Sequence, residues 1–272
     1  MALSHAVVRL LARMSEGWRL VAQYGAGSAQ FLEYACRNQP AGRGAVGRLC
    51  DRALLRADEC GASRRRVATV RAILVELVTQ RRAAGAPTLI LDVAAGSARY
   101  LRELVAAHGA ADLSIVCCDR NPRQVEYGRG LANTEGLHGV AFWVGDATDV
   151  SSYLTSHDPD IVVAVDIFPY LESDDAVRTV LRLAFDRLSP GGTLVCSTQT
   201  GRRSVWWASS RSVTRVGPID RAADVIATWL RATGFAAVDE RRCDATDQVL
   251  VARKPDGTPA PASADTSSAT TA

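Results

Sequence analysis

Short runs of aliphatic and β-branched residues, separated by segments with helical spacing, occupy the middle of this 272-residue chain. Strands that are buried on both faces are continuously apolar in this way, and helices between successive strands imply parallel pairing. The pattern predicts an α/β fold with a Rossmann-like, doubly wound and mostly parallel seven-stranded sheet. Six strands are expected at residues 89–93, 114–118, 140–144, 161–165, 193–197 and 249–252.

Helices are expected at residues 99–108, 122–133, 174–188 and 224–233, because each range has helical spacing and several have start or stop signals. An amphipathic helix at residues 63–82 precedes the first strand and is expected to pack against the sheet. We therefore divide the chain into an N-terminal helical extension or lid (1–84), a sheet domain (85–254) and a tail (255–272). The tail is rich in Pro, Ala, Ser and Thr and is predicted to be disordered.

Charge and cysteine content restrict the class of protein. The 32 basic and 29 acidic residues nearly cancel, which argues against a nucleic-acid partner. The seven cysteines form no CxxC pair and indicate free thiols in a reducing cytoplasm. The four histidines lack ligand spacing, so no metal site is predicted.

The expected partner is a small molecule rather than a membrane. The apolar segment at residues 1–14 contains Arg9 and Arg13 and is too short to span a bilayer, so it is interpreted as an amphipathic helix. The sequence is compatible with a homodimer.

A strand, a turn of small residues and a helix start follow one another at residues 89–101. Small residues around Gly96 let a ligand approach the backbone N–H groups at the carboxyl edge of a sheet. The single glycine does not make a GxGxxG pattern, and the chain has no GxxxxGK[ST] phosphate loop. NAD, FAD and ATP are therefore disfavoured as cofactors.

Acidic residues follow the next predicted strands. Asp119 lies 23 positions after Gly96, where a carboxylate that binds ribose hydroxyls is expected. Asp146, within Gly145-Asp146-Ala147, is placed to accept the amine of adenine, and Asp166 ends the fourth strand beside the crevice.

As a set, these segments resemble the class I S-adenosylmethionine-dependent methyltransferases. A narrower resemblance, over nearly the whole ordered chain, is to a bacterial methyltransferase family whose members largely lack an assigned acceptor. It is carried by Asp92-x-Ala94-Ala95-Gly96-x-x-Arg99-Tyr100, Arg37-Asn38-Gln39 and Gly47-Arg48-x-x-Asp51-Arg52.

The resemblance implies S-adenosylmethionine as cofactor or substrate. It implies a methionine-side pocket shaped by Asp92 and Gly96, a ribose held by Asp119 and an adenine bound by Asp146. The full set of expected cofactor residues is Asp92, Ala94, Gly96, Arg99, Tyr100, Asp119, Arg120, Asn121, Gly145, Asp146, Ala147, Asp166 and Ile167.

The chain also departs from the family pattern. Ala98 replaces a usual glycine, and Gln199-Thr200-Gly201-Arg202 replaces an expected Gln-Pro-Trp-His segment, so no histidine base is carried over. Tyr170 and Asp166 are the candidate catalytic residues, and Trp206 and Trp207 are candidates to cap an acceptor pocket. The candidate substrate contacts are Tyr24, Asn38, Tyr170, Ser197 and Gln199.

Three functions remain open from sequence alone. The first is methyl transfer to a small-molecule acceptor, with natural-product biosynthesis as one setting. The second is cyclisation of S-adenosylmethionine itself to azetidine-2-carboxylic acid with release of methylthioadenosine. The third is a non-catalytic binding module that retains the fold.

Overall fold

The computed structural model of the protein describes residues 5–200 and 219–257. Gly201 and Arg202, the Trp206 and Trp207 pair and the tail from residue 258 onwards therefore lie outside the described residues.

Five helices precede the sheet. Ser15 and Ser28 begin α2 and α3, because each hydroxyl accepts a backbone N–H three residues ahead. The second, third and fourth helices and the start of the fifth share a small apolar core that includes Phe31, Tyr34, Leu54 and Cys60. The bounds are α1 His5–Leu11, α2 Glu16–Tyr24, α3 Ala29–Arg37, α4 Gly44–Leu55 and α5 Asp58–Ala83.

The described strands form one seven-stranded sheet in the order β3-β2-β1-β4-β5-β7-β6. The first five strands pair in parallel, and β7 is antiparallel to both of its neighbours, β5 and β6, which confirms the predicted fold class. The bounds are β1 Thr88–Asp92, β2 Leu113–Asp119, β3 Val140–Val144, β4 Ile161–Ala164, β5 Thr193–Gln199, β6 Ala237–Arg242 and β7 Asp247–Arg253.

Strand β6 is the one whose position sequence reasoning did not give. Its sequence, Ala-Val-Asp-Glu-Arg-Arg, is mostly charged and its side chains are largely exposed. It lies at the sheet edge and pairs only with β7, so it needs no continuous apolar run.

Helices cover both faces of the sheet. Helices α5, α6 and α7 pack on one face and α8 and α9 on the other, each with its own apolar core. Two 3₁₀ turns, Val150–Tyr153 and Phe168–Tyr170, follow β3 and β4. The remaining bounds are α6 Arg99–His108, α7 Pro122–Thr134, α8 Asp174–Arg187 and α9 Ala223–Thr233.

Helix α5 connects the two parts of the chain. Val70, Ile73 and Leu74 are buried in the same core as Ile90 of β1, so the C-terminal part of α5 packs with the sheet. Helix α5 and the sheet therefore share one core, although a division at residue 84 assigns them to different parts of the chain. The N-terminal part of α5 instead reaches the crevice at the sheet edge, where Ser63 and Arg66 line a cavity.

None of the described helices combines the length and the apolar character needed to cross a membrane.

Candidate active site

A cavity of about 360 Å³ lies at the carboxyl ends of β1, β2 and β4, a size within the range of roughly 300–1,000 Å³ typical of small-molecule sites. The strand order reverses between β1 and β4, which is where sheets of this type bind ligands. The predicted site residues that line the cavity are Tyr24, Ala94, Gly96, Arg99, Tyr100, Asp119, Arg120, Asn121, Asp146, Ala147, Asp166, Ile167 and Tyr170.

Asp119 joins two loops at the cavity wall. Its Oδ1 accepts the N–H of Asn121 at 2.9 Å and its Oδ2 accepts the N–H of Gly96 at 3.0 Å. Burial raises the pKa of this carboxyl, although the two N–H donors oppose the shift. Each oxygen keeps a lone pair for a further donor, so the carboxylate can also bind two hydroxyl groups.

The turn after β1 adopts a left-handed backbone. Gly96 has φ 54°, and a side chain there would also lie 3.6 Å from the Cβ of Ala29 in α3. Ala98 has φ 52° without being glycine, at a conformational cost of roughly 1–2 kcal/mol. A glycine at position 98 would adopt the same backbone without that cost.

Asp92 supports the turn from below and is not among the described residues that line the cavity. Its Oδ1 accepts the N–H of Ala94 at 3.1 Å and its Oδ2 accepts the hydroxyl of Tyr100 at 2.6 Å. The side chain is fully buried, which raises the pKa of its carboxyl to about 7. Its effect on the cavity is exerted through Ala94 and Tyr100.

Asp146 is exposed at the far end of the cavity. Its Oδ1 accepts the N–H of Thr148 at 2.8 Å and the Thr148 hydroxyl at 2.7 Å, which lowers the pKa of the carboxyl. Gly145 lies behind it, where an added Cβ would be 2.7 Å from the Cys118 sulfur. Gly145 therefore positions Asp146 rather than lining the cavity itself.

Asp166 marks the opposite end of the cavity and also has a left-handed backbone, with φ 61°. Its N–H donates to the Ser197 hydroxyl at 2.8 Å, and its Oδ1 accepts the side-chain amide of Gln199. Ser197 and Gln199 are buried and are not among the described lining residues. The structure thus places these two predicted substrate contacts behind Asp166, where they hold it in place.

Arg66 of α5 is a site residue that the sequence did not reveal. Its Nη2 lies 2.8 Å from Asp166 and its Nη1 lies 2.6 Å from Asp247 at the start of β7. Burial lowers the pKa of the guanidinium, but the two carboxylates outweigh it and the pKa is raised. A fixed positive charge thus borders the end of the cavity where Asp166 lies.

Glu33 fastens the N-terminal helices to the turn after β1. This buried carboxylate of α3 lies 2.7 Å from Arg99 and 2.8 Å from Arg102, and it accepts the Ser97 hydroxyl at 3.3 Å. All but Arg102 of these four residues line the cavity. Glu33 thus links α3 to the turn after β1 and to α6 through buried polar contacts.

The loop between α2 and α3 closes a second side of the cavity. Gly27 lies against Tyr170, whose hydroxyl would be 3.0 Å from a Cβ added at Gly27. The N–H of Ala29 donates to the Gln124 side chain at 3.2 Å. Tyr24, which is 36% exposed, adds a second tyrosine to the lining.

Asn38 does not reach the cavity. It is the exposed C-cap residue of α3, with φ 53°, and lies at the opposite end of that helix from Gly27 and Ala29. Within the described ranges, no group of His, Cys, Asp and Glu side chains is arranged to hold a metal ion.

Solved structures with this fold include several of different function. A protein of Bordetella parapertussis described as a possible exported protein is 19% identical, with a TM-score of 0.68 over 92% of this chain and 87% of the other. An O-methyltransferase family protein from Burkholderia thailandensis is 17% identical, with a TM-score of 0.56 over 93% and 71%. The [4+2]-cyclase SpnF is 20% identical, with a TM-score of 0.52 over 68% and 81%.

Sequence comparison gives a more specific assignment. The uncharacterized protein YnbC of Escherichia coli (strain K12) is 27% identical over 195 residues, which is 71% of this chain. The chain spans about a third of the length of that curated relative. The family described as "Putative methyltransferase" matches residues 1–209, which include the N-terminal helices as well as the strand-end acids of the cavity. The chain therefore belongs to this methyltransferase family.

Proposed function

We propose that the protein uses S-adenosylmethionine bound in this cavity to methylate a small-molecule acceptor. The observation that carries the proposal is that Gly96, Asp119 and Asp146 line one cavity that also contains Asp166 and Tyr170. The family assignment supports the same reaction class.

The residues present fit S-adenosylmethionine. Each Asp119 oxygen already accepts one N–H and retains acceptor capacity for a ribose hydroxyl. Asp146 uses Oδ1 for Thr148, so Oδ2 is available for the amine of adenine. Tyr24 and Tyr170 supply aromatic rings, whose faces attract a cation such as a sulfonium.

When bound, S-adenosylmethionine supplies an electrophilic methyl group next to a positive sulfur. The chain's main task is then to position the acceptor and exclude water. The α2–α3 loop and Glu33 close the cavity, while Ser197 and Gln199 fix Asp166. We assign Asp166 the role of orienting the acceptor, because it is ion-paired with Arg66. We assign Tyr170 to hydrogen-bond the acceptor atom, and the proton that this atom loses on methylation passes to water.

Cyclisation of S-adenosylmethionine is a second candidate, favoured by the closure of the cavity by the N-terminal helices. In that reaction the α-amine nitrogen forms a bond to the γ-carbon, the carbon–sulfur bond breaks, methylthioadenosine leaves and the nitrogen loses a proton. The fold is also that of a protein described as a [4+2]-cyclase, so its use is not restricted to methyl transfer.

Product analysis distinguishes the candidates. Purified protein is incubated with S-adenosylmethionine, with and without a panel of small amines, alcohols and carboxylic acids, and the products are identified by mass spectrometry. Methyl transfer predicts S-adenosylhomocysteine only when an acceptor is present, and Tyr170→Phe should slow its formation. Methylthioadenosine without acceptor would establish cyclisation instead. Neither product together with no cofactor binding would contradict both reactions and leave a binding module.

A further inference from the structure

The N-terminal helices carry a charge that the rest of the chain does not. Residues 1–56 contain eight arginines against three acidic residues, whereas the remaining 216 residues contain 24 basic and 26 acidic residues. Glu33 and Asp51 are buried, and Glu16 pairs with Arg19 at 2.6 Å. The solvent-facing surface of this segment is therefore strongly basic.

Helix α4 concentrates this charge on one face. Its inner face, which includes Gly47, Asp51, Leu54 and Leu55, is buried against the other N-terminal helices. Its outer face carries an apolar stripe spaced i, i+3, i+7 and a basic stripe spaced i, i+4, i+8, the second ending at the C-cap. We call this the α4 outer face: Val46, Leu49 and Ala53 with Arg48, Arg52 and Arg56.

Both stripes are open to solvent. Val46 is 58% exposed and Leu49 is 63% exposed, and their i, i+3 spacing makes them neighbours on the helix surface. Arg48, Arg52 and Arg56 are exposed, and none forms an ion pair with another residue in the ranges 5–200 and 219–257. The α4 outer face thus has apolar and charged groups that the described part of the chain leaves without partners.

We propose that the α4 outer face docks an acidic amphipathic helix of another protein. The three arginines are each one turn apart and span about 12 Å, so carboxylates at i, i+4 and i+8 of a partner helix can pair with them. Guanidinium groups bind carboxylates in bidentate geometry, and the adjacent Val46 and Leu49 contact the partner's apolar stripe.

Other occupants fit less well. A second copy of this chain would bring two sets of arginines together. Binding to an anionic bilayer requires a wide apolar helix face flanked by basic residues. The apolar stripe of α4 has only two large apolar side chains. This inference does not depend on the proposed reaction, because no residue of the α4 outer face lines the cavity in the described structure.

The test uses a stapled helical peptide with glutamates at i, i+4 and i+8 beside a leucine stripe, and a peptide of the same composition in scrambled order. Binding to the full chain is measured by fluorescence anisotropy, with a dissociation constant on the order of 0.1 mM expected for three exposed ion pairs and a small apolar contact. The variant R48E/R52E/R56E should bind at least tenfold more weakly. The control variant R182E/R231E/R242E changes the same number of exposed arginines elsewhere and should bind as the wild type does.

Circular dichroism and thermal denaturation verify that both variants are folded. No binding of the ordered peptide, or equal binding of the scrambled one, would overturn the proposal. An unchanged affinity in R48E/R52E/R56E would do so as well. Sedimentation with phosphatidylserine vesicles through the same arginines, without peptide binding, would assign the face to a membrane instead.

Discussion

The two ends of the cavity are built by different kinds of contact. In the turns after β1, β2 and β3, Asp92, Asp119 and Asp146 each accept the N–H of the residue two positions ahead, so each turn is largely organised by its own sequence. At the Asp166 end of the cavity, Arg66 meets Asp166 and Asp247, which are 100 and 181 positions away along the chain. Local contacts can be predicted from a motif, whereas contacts across such separations require the fold.

The same difference applies to stability. Ion pairs that join distant segments in a buried site hold the N-terminal helices and the sheet together, and removing one partner leaves the other charge in a poorly solvated place. Hydrogen bonds within a turn, by contrast, stabilise a backbone conformation that the neighbouring strands already restrict. We therefore expect substitutions at the long-range contacts to cost the most stability.

The largest effect is expected for Arg66→Ala. Removing the guanidinium takes an ion-pair partner from Asp166 and from the fully buried Asp247, at a cost of about 3–5 kcal/mol in the free energy of unfolding. Urea denaturation of the wild type and the variant measures this loss in the free energy of unfolding. Arg71→Ala, on the same helix, breaks an exposed 3.5 Å pair with Glu103 and should cost less than about 1 kcal/mol. Equal losses in the two variants would mean that the buried ion pairs of Arg66 stabilise the fold no more than an exposed pair does.

Glu33→Ala tests whether the N-terminal helices act as a lid. Loss of a buried carboxylate between Arg99 and Arg102 should lower the free energy of unfolding by about 2–4 kcal/mol, less than at Arg66 because Arg99 is partly exposed. If the helices act as a lid, S-adenosylmethionine should also dissociate faster in stopped-flow experiments, because Glu33 holds α3, which lines the cavity, against the turn after β1. Glu16→Ala removes an exposed pair in α2 and serves as control. An unchanged dissociation rate in Glu33→Ala would show that the helices do not act as a lid.

The buried Asp92 carboxyl should make stability depend on pH. Its pKa of about 7 in the folded protein lies above the usual value of 3.8, so the stability that the protonated side chain contributes is fully present below about pH 4 and is lost as the pH rises through 7. Between pH 5 and pH 8 the wild type should lose about 2–3 kcal/mol relative to Asp92→Asn, measured by urea denaturation at each pH. Parallel pH profiles of the two proteins would mean that Asp92 is not buried in this way.

Ala98→Gly should have the smallest effect. Relief of the left-handed backbone offsets the loss of a buried methyl group and the added freedom of the unfolded chain, so the change should stay within about 0.5 kcal/mol. Ala132→Gly in α7, equally buried but in ordinary helical geometry, should lose about 2 kcal/mol. Thermal denaturation of both variants gives the comparison, and a similar loss at the two positions would contradict it.

Sequence reasoning located the strands whose residues are continuously apolar and the helices with clear start and stop signals. It did not place β6, because an edge strand of charged residues has no apolar pattern to detect. Asp119, Asp146 and Asp166 were predicted as site residues from their positions after the strands. Arg66 and Glu33 were not, since a single arginine or glutamate within a helix gives no sign of a partner more than 60 positions away. Ser197 and Gln199 were expected to contact substrate. In the structure they are buried in β5 and hydrogen-bonded to Asp166, an arrangement that follows only from the pairing of β5 with β4 and β7.

Asp119 is the residue that we propose binds the ribose of S-adenosylmethionine. Isothermal titration calorimetry with S-adenosylhomocysteine should show that Asp119→Ala weakens binding by roughly 10–100-fold relative to wild type, as expected for lost hydrogen bonds to a charged group. Asp175→Ala, an exposed acid on α8, should bind like the wild type. Equal affinities for wild type and Asp119→Ala would contradict the assignment of this cavity as the cofactor site.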